Sequence, residues 1–280
     1  MVAQTVITEL LNGQELRAAG FIVTVYGDIV LPRGGILWTG SLIEICNRAG
    51  LSESVVRTAV SRLVTAQRLK GERNGRRSYY SLDASAQQEF DQAAKLLYQP
   101  DTVINGWQII FAPDLSDAEA SRLRMGRMGA CVFIRPDRGQ ALPEGAQVLR
   151  AADPKDMDWL TQFWDLSILH QRYCDLLTRF EPLHNKIAQL SAEEAMMVRL
   201  LLVHAYRGVL LRDPRLPTAA LPADWQGHNA RDLFRSLYLA LSPKSEVWIA
   251  SQCEGVDGLL SATTPQTAAR QHGLSLSEQG

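Results

Sequence analysis

The sequence lacks any stretch that is both long and apolar enough to cross a bilayer, which argues against an integral membrane protein. Its first residues show no basic segment followed by an apolar one, so we expect no signal peptide. It also lacks a charge imbalance, because 29 basic and 30 acidic residues leave a formal net charge of −1. A protein that binds a polyanion over its whole surface is basic, so contact with nucleic acid must be confined to one region.

Cysteine is scarce, with four residues in the whole chain. They lie far apart and lack the paired spacing of a structural zinc site. We therefore expect reduced thiols in a cytoplasmic protein, with neither a metal site nor a cofactor. His170 and Cys174 stand four residues apart on a predicted helix, which would be half of a metal site at most. The cysteines are Cys46, Cys131, Cys174 and Cys253.

What remains is the composition of an ordinary globular protein, 46% hydrophobic and 21% charged. A chain of 280 residues predicts two or three domains. The pattern along the chain then decides where each domain lies.

Residues 41–65 predict two short helices joined by a tight turn. Ser41 and Ser52 suit the first positions of the two helices, and Gly50 suits the left-handed end of the first one. The second helix carries an apolar stripe and, opposite it, hydroxyls and guanidiniums with no acidic residue after Glu53. Such a helix can bury one side and present the other to a DNA major groove. The stripe comprises Val55, Val56, Ala59, Val60 and Leu63, and the expected DNA-contacting residues are Ser54, Arg57, Thr58, Ser61 and Arg62.

Residues 68–82 predict a β-hairpin with a basic tip. The Asn-Gly pair at 74–75 is typical of hairpin turns because both residues accept positive φ angles. Arginines at the tip can neutralise DNA phosphates or enter a minor groove. With a packing helix at 20–30, the order predicts a winged helix-turn-helix domain over residues 17–99, and a plain helical pair with a solvated hairpin is the competing interpretation. The arginines of the tip are Arg73, Arg76 and Arg77.

Residues 100–156 predict a small α+β domain. Residues 102–112 are rich in β-branched and aromatic residues, which is typical of a strand, and shorter strands are expected at 131–134 and 147–150. A helix reaching about Met128 is expected between the first two strands. This order of elements is typical of a ferredoxin-like unit.

Residues 157–252 predict a helical domain. Apolar residues between Trp159 and Leu177 are dense enough for one long buried helix, and a capping box at Ser191 opens another. The segment 253–280 is rich in Gly, Ser, Thr and Gln, so we expect a mobile tail. The expected fold class is therefore α+β with several domains.

Two blocks of short motifs accompany these elements. The first block contains Tyr26-Gly27-Asp28, Arg33-Gly34-Gly35, Trp38-x-Gly40-Ser41-Leu42, Val56-Arg57-Thr58-Ala59, Arg62-Leu63 and Gly75-Arg76-Arg77-Ser78-Tyr79-Tyr80. The second contains Leu201-Leu202-x-His204-x-Tyr206-Arg207, Arg212-Asp213-Pro214-x-Leu216-Pro217 and Leu221-Pro222-Ala223-x-Trp225-x-Gly227-His228.

With these motifs in this order, the chain resembles the PaaX family of bacterial transcriptional repressors of phenylacetic acid catabolism over residues 20–240. The resemblance implies an N-terminal winged helix-turn-helix domain, a ferredoxin-like middle domain related to small CRISPR-associated nucleases, and a C-terminal helical domain. It also implies a homodimer without enzymatic activity. Such a dimer binds double-stranded operator DNA and releases it on binding an aryl-CoA thioester such as phenylacetyl-CoA.

The expected effector site is the C-terminal helical region, where the helix that ends near Leu211 meets a proline-rich connector, or the cleft between this region and the middle domain. Arginines suit the phosphates of coenzyme A, and an aromatic lining suits an acyl ring. A catalytic role for His204 is an alternative, and helix packing with an ion pair between Arg207 and Asp213 is another. The expected effector-binding residues are His204, Arg207, Arg212 and Trp225.

A metal-dependent nuclease is the alternative function, suggested by the kinship of the middle domain. Such an enzyme needs clustered carboxylates that hold a divalent ion and orient water. Asp114 and Asp117 follow the first strand of that domain, but Ser116 between them makes a helix cap the simpler interpretation. For a CoA-ester enzyme, the third alternative, the sequence has neither a nucleophile elbow nor a phosphate-binding glycine loop.

Overall fold

The computed structural model describes residues 3–276, which form helices and small antiparallel sheets and make this an α+β protein. The chain groups into two compact units. Within the described residues, no helix combines the length and apolar character needed to span a membrane. The first unit comprises Met1–Pro100, Leu177–Arg207 and Arg231–Gly280, and the second unit comprises Asp101–Leu176 and Gly208–Ala230.

The first unit opens with helix α1 (Ala3–Leu11) and a buried apolar helix, α2 (Ala18–Val25). The chain continues from α2 as a π-helical turn over Tyr26–Val30 and a 3-10 turn over Leu31–Arg33. This region matches the packing helix predicted from the sequence. Gly34 ends it with a φ of 94°, a left-handed conformation that glycine adopts without a steric penalty.

Two helices and a three-stranded antiparallel sheet follow. The strand order is β1-β3-β2, so the β2–β3 hairpin is anchored through β1 to the chain just before the first of these helices. The elements are β1 (Ile36–Trp38), α3 (Thr39–Arg48), α4 (Glu53–Thr65), β2 (Leu69–Asn74) and β3 (Arg77–Leu82).

Helix α3 begins two residues before the predicted cap. Trp38 stands at the N-cap position and its side chain makes no capping hydrogen bond. The hydroxyl of Ser41, a residue that is 2% exposed, accepts a hydrogen bond from the Glu254 N–H at 3.0 Å and donates to the Gln252 carbonyl at 3.3 Å. The predicted capping role of Ser41 is therefore wrong, because its hydroxyl makes a tertiary contact instead.

Helices from later in the chain complete the first unit. The capping box predicted at Ser191 is present, since the Ser191 hydroxyl accepts from the Glu194 N–H at 3.2 Å and the Glu194 carboxylate accepts from the Ser191 N–H at 2.7 Å. Over its described residues, 253–276, the segment expected to be a mobile tail forms a hairpin and a helix, with Leu274 4% exposed, and residues 277–280 lie outside the described residues. The elements are α5 (Ala84–Tyr98), α8 (Ala192–Leu210), α9 (Gly227–Gln252), β8 (Glu254–Gly255), β9 (Gly258–Leu259) and α10 (Pro265–Ser275).

A buried ion-pair network connects distant segments of the first unit. The side chains of Asp28 and Arg199 are both 0% exposed, and Arg199 Nε donates to Asp28 Oδ2 at 3.1 Å. Arg199 Nη1 donates to Glu246 Oε1 at 2.8 Å, and the other carboxylate oxygen of Glu246 pairs with Arg33. The second oxygen of Asp28 accepts from the hydroxyls of Tyr98 at 3.0 Å and Tyr238 at 2.9 Å.

The charges of this network balance each other. Burial alone would raise the pKa of Asp28, but the guanidiniums of Arg199, Arg270 and Arg33 outweigh burial and lower it. Two carboxylates thus face arginines inside the protein with their hydrogen bonds formed, the condition under which buried charges are tolerated.

The second unit is built on a four-stranded antiparallel sheet. The strand order is β5-β6-β4-β7, which places β7 at one edge. Ile110, Phe133 and Met125 pack with Ala112 and Ala120 into its apolar core. The elements are β4 (Trp107–Phe111), α6 (Asp117–Arg122), β5 (Gly126–Arg127), β6 (Val132–Pro136), β7 (Gln147–Ala151) and the start of α7 (Ser167–Phe180).

Helix α6 is much shorter than the sequence predicts. It ends at Arg122 instead of near Met128, because Arg124 adopts a φ of 60° and the chain then enters β5. Its start agrees with the capping interpretation, since Ser116 and Glu119 form a capping box.

The region predicted as one long helix from Trp159 to Leu177 consists of two elements. A 3-10 helix spans Asp158–Phe163, and α7 begins only at Ser167, where the Asp165 carboxylate accepts the Ser167 N–H at 3.2 Å. Trp159 is 46% exposed. The apolar residues of this segment therefore belong to two separate helices, because a new helix begins at Ser167.

We expect the substitution Arg199→Leu to destabilise the first unit severely. It would leave the carboxylates of Asp28 and Glu246 buried without the cation between them, a change that costs about 3–5 kcal/mol. Urea unfolding followed by circular dichroism would measure this loss. Arg57→Leu, which removes an exposed ion pair, is the control and should cost less than about 1 kcal/mol. Equal losses in the two variants would contradict the importance of the network.

Candidate nucleic-acid interface

Helix α4 buries one face, as its apolar stripe predicts. Val56, Ala59, Val60 and Leu63 are at most 8% exposed. Val55 is 46% exposed, so its assignment to the buried stripe is wrong. Adjacent helix positions differ by about 100° around the axis, which turns Val55 away from the side that Val56 buries.

The opposite face of α4 is polar and open to solvent. Arg57 Nη2 lies 2.7 Å from the carboxylate of Glu53, one turn earlier on the helix. The hydroxyl of Thr58 donates to the Ser54 carbonyl at 2.9 Å. Arg62 makes no hydrogen bond or ion pair with any residue that the structure describes. The residues predicted to contact DNA are all exposed on this face: Ser54, Arg57, Thr58, Ser61 and Arg62.

The predicted hairpin is present, but its two turn residues are Gly75 and Arg76, one position after the expected Asn-Gly pair, because Asn74 still belongs to β2. Gly75 has a φ of 62°, and Asn74 pairs with Arg77 at the end of the ladder. Arg73 Nε donates to the Gly75 carbonyl at 3.1 Å, which stiffens the turn. Arg76 is exposed, and no residue in the described part of the chain pairs with it.

Arg77 is more constrained than the other arginines of the tip. Its guanidinium lies over the ring of Trp38, 4.6 Å from the centroid, and pairs with Glu254. Half of its side chain remains exposed, at 48%. Arg77 is therefore held by its own protein, while Arg76 is free to meet a phosphate.

The stretch that contains α4 and the hairpin is strongly basic. Between Glu53 and Arg77 seven side chains are basic and two are acidic, in a chain whose net charge is −1. Exposed guanidiniums on a helix and on an adjacent hairpin can contact base edges and phosphates, respectively. This stretch thus carries a local excess of positive charge, which the overall composition allows.

The four residues expected to bind an effector are divided between the two units. His204 and Arg207 belong to the first unit, and Arg212 and Trp225 belong to the second. Their role as a single site stays a prediction.

His204 packs against α2. Its Nδ1 lies 2.9 Å from the hydroxyl of Thr24, which itself donates to the Gly20 carbonyl at 3.1 Å. Because the Thr24 proton is used in that way, Nδ1 of His204 carries the hydrogen and donates. Burial, with the charges of Arg207 and Arg179, lowers the pKa of His204 to about 4. A neutral, packed imidazole fits the packing interpretation better than the catalytic one.

Trp225 is 8% exposed and contacts aromatic residues of the second unit. Its ring lies 5.6 Å from that of Tyr173 and 6.0 Å from that of His170. Arg212 is exposed and donates to the Gly208 carbonyl, which satisfies an end of α8. Trp225 thus lines the interior of its unit, and Arg212 acts at a helix terminus.

The nuclease alternative finds no supporting arrangement of ligands. Within residues 3–276 there is no group of three or more His, Cys, Asp or Glu side chains that could hold a metal ion. Asp117 pairs with Arg127, and Ser116 caps α6. Of the two carboxylates behind β4, Asp117 is therefore used in an ion pair.

The sequence pattern did not indicate the roles of two groups of residues. One is the network of Asp28, Arg199 and Glu246, for which the only signal was the position of Asp28 in a motif. The other is a set of partly buried arginines in the second unit, including Arg124 and Arg138. Arginine is ordinarily a surface residue, so nothing in the pattern indicated their burial.

Comparison with known proteins agrees with this architecture. A family model described as PaaX-like protein matches residues 17–86, from α2 to the hairpin and beyond. A second, the PaaX-like protein C-terminal domain, matches residues 164–251. The two matches fall in family order and together cover more than half of the chain. The chain belongs to the PaaX-like protein family.

Two individual proteins are similar to this chain. The transcriptional repressor PaaX of Escherichia coli (strain K12) is 27% identical over 304 aligned positions, which cover 98% of this chain and 96% of that protein. An uncharacterized protein of Mycobacterium tuberculosis, known from a solved structure, is 21% identical with a TM-score of 0.48, covering 88% of this chain and 97% of that one.

We expect His204 to make stability depend on pH. Its pKa is about 4 in the folded protein and about 6.5 when unfolded, so the unfolded chain binds the extra proton between these values. The stability is complete above pH 6.5 and is lost as the pH falls toward 4. Between pH 7.5 and 5, wild type should lose about 2 kcal/mol more than His204→Gln in urea unfolding.

The control for this measurement is His228→Gln, which changes an exposed histidine. That variant should keep the wild-type pH profile. If His204→Gln shows the wild-type profile as well, the histidine is not a buried neutral group.

Proposed function

We propose that this protein is a transcriptional repressor that binds double-stranded operator DNA through a winged helix-turn-helix. The observation that carries the proposal is the outward face of α4, where hydroxyls and two arginines are exposed beside a basic hairpin. Family membership and the homologous repressor of E. coli support it.

In this proposal α4 is the recognition helix and the β2–β3 hairpin is the wing. Thirteen residues make a helix about 20 Å long, which fits along a major groove about 12 Å wide. Arg57 and Arg62 would reach base edges, with Ser54, Thr58 and Ser61 between or beside them. The wing would place Arg76 on the phosphate backbone. A cytoplasmic homodimer would place two such helices on half-sites about 34 Å apart.

We also propose that the sheet of the second unit is a reduced ferredoxin-like domain. Such a domain has four antiparallel strands with the first and third at the centre, which is the order β5-β6-β4-β7 seen here. A helix joins the first two strands, but the connection from Pro136 to Gln147 is a loop instead of the second helix. A scaffold role fits this domain, and nothing supports a nuclease.

Control of the repressor is proposed to come from an aryl-CoA thioester such as phenylacetyl-CoA. The support is the family resemblance, together with side chains that suit the two ends of such a ligand. An effector releases DNA only if it binds the free repressor more tightly than the DNA-bound one. The residues proposed earlier for this role are His204, Arg207, Arg212 and Trp225.

The deciding experiment is an electrophoretic mobility shift on the promoter DNA of the protein's own operon. The protein should retard this DNA in the presence of excess nonspecific competitor, and phenylacetyl-CoA should reverse the shift. Coenzyme A and phenylacetate, added separately, are the controls for the two halves of the effector. Retention of the complex under saturating phenylacetyl-CoA would refute the effector, and failure to bind any promoter fragment would refute the repressor.

We predict that Arg57→Ala weakens specific binding by about 1–3 kcal/mol, the range of a lost bidentate guanine contact. Glu53→Gln should act in the opposite direction. The Glu53 carboxylate neutralises Arg57 in the free protein and would repel DNA phosphates. Fluorescence anisotropy with operator and scrambled DNA measures both effects, with Arg122→Ala in the second unit as the control. Unchanged specific affinity in Arg57→Ala would remove it from base readout.

The two arginines of the wing should differ in their effect on salt dependence. Arg76→Ala should make the slope of log K against log salt shallower by about one unit, because one phosphate contact is lost. Arg77→Ala should change the slope less, since Arg77 is held by Glu254 and the ring of Trp38. Binding titrations at several salt concentrations test this, and identical slopes for both variants and wild type would place the wing away from DNA.

A further inference from the structure

In the second unit, the guanidiniums of Arg124 and Arg138 share one buried carboxylate, that of Asp213. Asp213 is 6% exposed and lies within electrostatic reach of both Arg124 and Arg138. Its oxygens are occupied by other donors: Oδ2 accepts from the Tyr173 hydroxyl at 2.7 Å, and Oδ1 accepts from the Arg215 backbone N–H at 2.6 Å. Burial raises the pKa of Asp213. One carboxylate therefore serves two guanidiniums that it does not hydrogen-bond.

Both guanidiniums also have unused donors. Nη1 of Arg124 and Nε of Arg138 are buried, and neither has a hydrogen-bond partner among residues 3–276. A buried donor without an acceptor costs about 1–3 kcal/mol, and more when it is charged. Burial lowers the pKa of Arg138 to about 10 and also lowers that of Arg124. At both positions burial disfavours the charged form of the guanidinium, and a bound anion would offset that cost.

A third arginine of the same unit shows the contrast. Arg135 is 3% exposed, and its donors have acceptors: Nε donates to Gln108 at 2.8 Å and Nη2 donates to the Ala141 carbonyl at 2.8 Å. Arg135 is thus satisfied within its own unit. Arg124 and Arg138 differ from Arg135 because each has a buried N–H without an acceptor. A ligand could supply that acceptor.

The backbone at this group is held in an unfavourable conformation. Arg124 has a φ of 60° and Arg215 a φ of 57°, and in the described part of the chain only Gln67 shares this among non-glycine residues. The loop at Arg215 is fixed on both sides, by Asp213 at its N–H and by Arg138 Nη2, which donates to its carbonyl at 2.5 Å. Such strain clusters at functional sites. The guanidinium of Arg215 itself pairs with Asp101.

We propose that Arg124 and Arg138 form a binding site for the phosphate group of a ligand. The planar guanidinium presents paired donors that match phosphate oxygens, and a phosphate dianion would balance the surplus positive charge. Tyr173 lies beside the site, with its ring 5.6 Å from Trp225, and offers apolar surface to the rest of the ligand. The identity of that ligand as an aryl-CoA thioester rests on the proposed function, and free phosphate shares the same chemistry.

The test measures binding and stability together. Isothermal titration with inorganic phosphate, coenzyme A and phenylacetyl-CoA gives affinities for the full-length wild type, Arg124→Gln and Arg138→Gln. Each variant should bind phosphate-bearing ligands at least about tenfold more weakly. Without ligand, Arg124→Gln should melt at the wild-type temperature or higher, because a buried cation with an unsatisfied donor has been removed. Arg138→Gln also loses the hydrogen bond to the Arg215 carbonyl, so its affinity decides the test at that position. Arg138→Lys keeps the charge without the planar fork and should also bind weakly.

The control variant is Arg172→Gln, which changes an exposed arginine on α7, next to Tyr173 in sequence. It should keep wild-type affinity and melting temperature. Wild-type affinity in Arg124→Gln and Arg138→Gln would overturn the site. A lower melting temperature in those variants with unchanged affinity would identify the arginines as structural and would overturn it too.

The site and the proposed function fail in different ways. If phenylacetyl-CoA releases operator DNA equally well from wild type and Arg138→Gln, the site is wrong and the proposed effector stands. If wild type binds coenzyme A and Arg138→Gln does not, yet no thioester releases the operator, the site stands and the proposed effector is wrong. Absence of binding of all three ligands to wild type overturns the site directly.

Discussion

The first unit depends on one buried interaction, the pairing of Asp28 with Arg199. Removing these two charges from water is costly, and their mutual attraction together with the hydrogen bonds around them offsets that cost. Tyr98 and Tyr238 complete the shell of the aspartate, and Glu246 links Arg199 to Arg33. The network thereby fixes the segment after α2 against helices from the far end of the chain. Helix α2 in turn packs against α4. The buried charges of Asp28 and Arg199 therefore help to set the orientation of the exposed polar face of α4.

Local patterns were sufficient for the elements that carry the proposed DNA contacts. The spacing of Val56, Ala59, Val60 and Leu63 predicts the buried face of α4, and the Asn-Gly pair predicts the hairpin, because both signals act within a few residues. Where tertiary contacts override the local signal, prediction failed. Ser41 has the residue type of a cap but is used by the chain around Gln252, and α6 ends early because Arg124 turns into a left-handed conformation that its type disfavours.

The site residues show the same contrast between local sequence signals and tertiary contacts. Exposure of the polar face of α4 followed from periodicity, whereas the partners of its arginines did not: Arg77 is held by Glu254, a residue 177 positions away. No single-sequence pattern relates such positions. The expected effector residues were chosen by chemical type from adjacent stretches of chain, and adjacency in sequence does not place His204 and Trp225 in the same unit. The arginines at 124 and 138 were overlooked because burial and strain are properties of the folded chain alone.

The order of the contacts in the first unit has a consequence for how the protein is made. Tyr238 reaches Asp28 across 210 residues, and Arg33 reaches the Ser261 carbonyl across 228. A ribosome delivers α4 early, but Tyr238 and Ser261, which complete its unit, are synthesised only many residues later. Contacts of such sequence separation slow folding, since a long loop must close before they form. The helices around α4 therefore stay incompletely packed until these later segments have been synthesised. The docking of the later segments then completes the unit that carries the polar face of α4.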